Sequence, residues 1–183
     1  MTSITRDPLL AAAKGILWFL MGAMLVGAVA CLVAIPALHL FQGNITIELG
    51  RTAPTVPIPT MLWVLSGVLA CVIALLLVLF RIFQLLKHIV GTVGDGDPFV
   101  PENARRLTQM AWLTLAVQLV TLPIIGFADW IDQAFAASPE VHTDIAINGG
   151  LSGNGLLLML ILFILARVFR QGAAMRDELE GTV

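Results

Sequence analysis

Four stretches without a charged side chain decide most of what this chain can become: Gly15 to Ile47, Thr52 to Phe80, Leu107 to Ala128 and Ile145 to Ala166. A helix crossing the hydrocarbon core of a bilayer needs about 20 mostly apolar residues and is strongly destabilised by an ionised group near its centre. Each stretch meets that requirement. The fourth does so only by recruiting Leu151 to Gly155, since its unbroken apolar part is Leu156 to Ala166; Val168 and Phe169 then continue it while Arg167 snorkels toward the headgroups. Only 12% of the 183 residues are charged, against roughly 25% in a soluble domain, so a water-soluble fold is nearly excluded. A net charge of -2 provides no basic field for a phosphate backbone, and direct nucleic-acid binding is not expected.

Turn residues and charges place the helices at about Ala11 to Phe41, Thr60 to Val90, Pro101 to Ile131 and Leu151 to Leu179. Their membrane parts are residues 15–41, 60–82, 108–130 and 151–169, in one membrane domain covering 1–183. Lys and Arg are retained on the cytoplasmic side. Arg6 and Lys14 precede the first span, Arg81, Lys87, Arg105 and Arg106 lie between the second and third, and Arg167, Arg170 and Arg176 end the fourth, leaving Arg51 alone on the other side. Both termini are therefore expected in the cytoplasm. Trp18 and Trp112 then fall at inner span ends and Trp63 and Trp130 at outer ones, as interfacial indoles do. The apolar part of the first segment outruns a signal-peptide core, so it is read as an uncleaved span. Cys31 and Cys71 are read as two small buried thiols without a disulfide.

The outer loops, 42–59 and 131–150, both show apolar and polar residues in alternation, in Asn44 to Leu49 and in Val141 to Asn148. Period-two alternation signals strands, and two edge strands satisfy their backbones by pairing. The expected fold class is thus an all-α membrane protein, an antiparallel four-transmembrane-helix bundle with both termini inside, topped by a small two-stranded β cap. The inner segments, 83–107 and 170–183, extend the helices beyond the membrane. Gly91 to Phe99 is expected to break the second helix, with Gly94-Asp95-Gly96-Asp97-Pro98 as the turn, and Pro101-Glu102-Asn103 restarts a helix with proline and an acid in its first turn. Arg176 and Glu180 are spaced for an i,i+4 pair.

Asp97-Pro98-Phe99-Val100-Pro101-Glu102-Asn103-Ala104-Arg105-Arg106-Leu107 resembles the cytoplasmic-loop signature of DUF2975, a family of bacterial membrane proteins of unknown function. The tail is similar too, in Ala166-Arg167-Val168-Phe169-Arg170-Gln171-Gly172 and Met175-Arg176-Asp177-Glu178-Leu179-Glu180. The resemblance covers the four-span layout. Family members often carry Thr before the second proline as a helix cap; Val100 stands here, which leaves the cap to Asp97 or water. Members are often found beside a small Cro/C1-type helix-turn-helix regulator. The resemblance therefore implies a bacterial inner-membrane anchor or sensor that binds a small cytoplasmic helix-turn-helix protein through Asp97, Phe99, Glu102, Asn103, Arg105, Arg106, Arg170 and Arg176. The same motif could equally serve only to fold the connection and dock Phe99.

Apart from the two thiols, read as packing groups, no acid, base or nucleophile suited to catalysis lies deep within a span, so catalysis is not expected and no cofactor is implied. Ser66, Thr114, Gln118 and Thr121 are read as interhelical hydrogen-bonding groups, each worth about 0.6 kcal/mol. Gln118, the most central, is also what a small transporter or an oligomeric channel would need. Glu48, Asp129, Asp132, Glu140, His142 and Asp144 make the outer face acidic without metal-ligand spacing, so no metal is expected. Ala23 with Gly27 and Ser66 with Ala70 suit close helix approach, and a homo-oligomer is compatible with this pattern.

Overall fold

The computed structural model describes residues 8–44, 46–47, 57–135 and 151–180. Four long helices dominate: α1 (Pro8–Leu40), α2 (Ile58–Gly94), α3 (Pro101–Phe135) and α4 (Gly153–Glu180). All four are long and apolar enough to cross a membrane. Pro36 and Pro123 lie inside α1 and α3. Cys31 and Cys71 are free thiols.

No strand occurs among the described residues, so the expected β cap finds no support there. Of its first segment, residues 44, 46 and 47 are helical. The Thr46 hydroxyl donates back to the Gln42 carbonyl at 2.7 Å, and the Asn44 amide bonds the Phe41 carbonyl at 3.1 Å. Three alternations are too short a signal to outweigh these local hydrogen bonds. The second segment, Val141 to Asn148, lies outside the described residues, as do Glu48, Glu140, His142 and Asp144.

The chain divides into two compact units. One comprises α1 to Leu25, α2 from Val78, α3 to Val117 and all of α4. Its core joins Leu85 and Ile89 of α2 to Leu107 and Met110 of α3 and Ala166 of α4, with Phe169 and Leu162 packed around them. Lys87 lies 3.7 Å over the ring of Trp18, tying α2 to α1 by a cation–π contact. The other unit comprises α1 from Val26, α2 to Leu77 and α3 from Gln118. Small residues permit close approach there: Gly27 faces Leu76, and a Cβ at Gly67 would lie 2.9 Å from the Phe127 ring. Ser66 makes the interhelical bond expected of it. Its proton goes to the Leu62 carbonyl at 2.8 Å, so the His39 ring, 3.1 Å away, is the donor. His39 also meets the Trp63 ring in a tilted contact, with centroids 5.2 Å apart.

Gln118 behaves otherwise. It is 6% exposed, yet neither its Nε2 nor its Oε1 has a hydrogen-bond partner among the described residues. Thr114 likewise bonds within α3, to the Met110 carbonyl. An unmatched buried amide opposes folding, so Gln118→Met, of similar shape, is expected to raise stability by about 1 kcal/mol. Thermal unfolding in one detergent measures this directly.

Candidate functional site

The site begins with how α2 stops. Gly91 does not break it; the helix runs on to Gly94, and Asp95 bonds the Gly91 carbonyl at 3.0 Å. A glycine within a helix costs about 1 kcal/mol, less than the packing that carries α2 onward. Termination comes at Gly96, whose φ of 81° is open to glycine at little cost. The Gly96 amide reaches the Val93 carbonyl at 3.1 Å and the Asp97 amide reaches Thr92 at 3.0 Å. Those two bonds are a Schellman motif, and Pro98 follows where the helix can no longer continue.

Asn103 then locks the turn from the other side. It is fully buried, at 0% exposure. Its Nδ2 donates to Thr92 Oγ1 at 2.7 Å and to the Pro98 carbonyl at 2.9 Å, and its Oδ1 accepts from Arg106 at 2.8 Å. Thr92 in turn donates to the Ile89 carbonyl at 2.8 Å. One amide therefore connects the end of α2, the turn and the first turns of α3. The Asn103 backbone amide is satisfied by the Val100 carbonyl at 2.9 Å. Asp97 is not spent on capping, because its carboxylate pairs with Arg176 of α4.

A second tie to α4 is made by Phe99. Its ring stands 5.3 Å from that of Phe169 and lies against Gly172, where a Cβ would come within 2.7 Å of the ring. Glycine is the one residue that leaves this socket open.

The structure thus brings together all eight residues singled out from the sequence, and it divides them. Asn103 is consumed inside the turn. Asp97, Phe99, Arg106 and Arg176 hold the turn and α4 to one another or to Asn103. Glu102, Arg105 and Arg170 remain exposed. Thr92 and Gly172 were not evident from sequence, although Gly172 stands inside the tail motif and a helical glycine always invites the question of what lies against it. The Glu180 side chain, expected to pair with Arg176, lies outside the described residues.

No curated protein and no solved structure matches the chain. A family model does, the one described as protein of unknown function DUF2975, over residues 4–183. The motif residues are therefore those that join the end of α2, the start of α3 and the tail of α4, and the chain that carries them belongs to the DUF2975 family.

Proposed function

We propose that the protein is a multi-pass anchor or sensor of the bacterial inner membrane, an antiparallel helical bundle with both termini in the cytoplasm, that presents the α2–α3 turn and the end of α4 to a small helix-turn-helix regulator. The observation that carries this reading is the preorganisation of that turn. Buried and paired groups hold it rigid, while Glu102 and Arg105 on the first turns of α3 and Arg170 on α4 stay exposed. A surface that is already ordered loses little entropy when a partner docks. The distribution of Lys and Arg supports the orientation, since all but Arg51 would face the cytoplasm.

The test is recovery of the genomically adjacent regulator from native membranes with tagged protein. Glu102→Lys and Arg105→Glu, both exposed, are expected to reduce recovery about tenfold each, the size of a lost rim charge plus a new repulsion. Unchanged recovery in both variants, with normal insertion, would sink the reading. A second reading, a channel or transporter component, is favoured by the unpaired Gln118. Ion flux into proteoliposomes that Gln118→Met abolishes would transfer the function to that class.

A further inference from the structure

We propose that the groove between the start of α3 and the end of α4 binds the phosphate-bearing headgroup of an anionic phospholipid. Two neighbouring cavities open along these helices and share Arg170. The outer one, about 410 Å³, lies between Arg105 and Arg170, and the inner one, about 390 Å³, adds Arg167, Thr108 and Gln171. Ala104, Ala166 and Ala173 are buried beneath them, so small side chains make the floor and arginines the rim.

Charge is what selects the occupant. Of the arginines in this part of the fold, Arg106 is engaged by Asn103 and Arg176 by Asp97. Arg105, Arg167 and Arg170 are exposed, and among the described residues no hydrogen bond or ion pair engages them. The one carboxylate lining the groove is Asp177, at its outer end. The site is therefore cationic, with planar guanidinium forks suited to a phosphodiester.

Depth selects a lipid over a free anion. Arg167 directly follows the charge-free run that ends at Ala166, and Arg105 and Arg106 directly precede the run that starts at Leu107. The arginines thus lie where both helices pass from apolar to polar sequence, the level of lipid headgroups. On the apolar side Phe163 lines the groove and meets Trp112 edge to face at 5.7 Å. Trp112 is exposed, as at a membrane interface. Leu160 and Leu156, one and two turns further along α4, are exposed too and continue an apolar track for acyl chains.

The inference does not rest on the partner reading, since the full-length protein is tested alone. Purified protein in a neutral detergent is titrated with phosphatidylglycerol, with phosphatidylcholine and with inorganic phosphate, and followed by thermal unfolding and native mass spectrometry. Phosphatidylglycerol is expected to bind and raise the melting temperature, and the other two to do neither. Arg167→Gln/Arg170→Gln is expected to weaken binding roughly 25-fold and Arg105→Gln roughly fivefold, at about a factor of five per arginine. Lys14→Gln, with the same loss of one charge as Arg105→Gln at a residue that lines neither cavity, is expected to retain wild-type binding. Equal binding of both lipids, equal loss in the control variant, or unchanged binding in Arg105→Gln would overturn the proposal. Saturation by inorganic phosphate would make it a soluble-anion site and overturn it as well.

Discussion

Asn103→Leu is expected to lower the stability of the folded protein by about 2–4 kcal/mol, with the α2–α3 connection opening first. Leucine branches at the same carbon and has the same number of side-chain heavy atoms as asparagine, so it leaves no cavity and the main loss is one of hydrogen bonds. The Pro98 carbonyl, Thr92 and Arg106 each lose a partner at 2.7 to 2.9 Å. Leaving a buried polar group unmatched costs about 1–3 kcal/mol; Arg106 can partly recover by turning to solvent, whereas Thr92 keeps its own donation to the Ile89 carbonyl and loses the donor it accepted from. Asn103→Asp separates the contributions. It keeps the acceptor for Arg106 but places an oxygen against the Pro98 carbonyl, so it should be destabilising without reaching the leucine value. Thermal unfolding measures the total, and proteolysis at the 95–100 turn reports where opening begins. If Asn103→Leu melted like wild type, the hydrogen bonds around that amide would not hold the connection.

Gly172→Leu is expected to cost about 2–3 kcal/mol through Phe99. Even one methyl at this position would stand 2.7 Å from Phe99 Cδ1, 3.0 Å from Cε1 and 3.3 Å from Cγ. A whole ring edge is in the way, not a flexible tip, so the ring must leave. Overpacking of this kind costs about 1–3 kcal/mol, and the contact with Phe169 is lost with it. A sign reversal provides the control. In a Phe99→Ala background the socket is empty, and Gly172→Ala should then stabilise α4 by up to about 1 kcal/mol, the helix propensity gained over glycine. In the presence of Phe99 the same change should destabilise. Additive effects of the two substitutions would show that ring and glycine do not interact.

These two positions show how unevenly the sequence exposes its structure. Asn103 could be singled out from its motif, and its placement after Pro101-Glu102 marks the start of a helix. That it is buried, and bonded to Thr92, could not be read there, because the bond joins residues on two helices through a turn whose geometry depends on Gly96. Gly91 was misleading for the opposite reason. Its intrinsic cost argues for a break, but Leu85, Ile89, Leu107 and Met110 pack around that end of α2 and outweigh one residue's propensity. The alternating segment after Phe41 failed as a strand because period two over so few residues competes poorly with a helical hydroxyl bond to a nearby carbonyl.

What the sequence by itself determined is the membrane character and the four helices. Charge-free runs longer than a bilayer leave one way to satisfy their backbones, and that requirement is local to each run. The tertiary structure alone decided which polar groups are spent and which are left over. Asp97 could have capped a helix and pairs with Arg176 instead; Arg106 is taken by Asn103, while Arg105, Arg167 and Arg170 face a groove floored by alanines. Pairing depends on distances across helices, which no spacing along the chain encodes. Those arginines, unpaired among the described residues, are what the fold leaves to meet an anion.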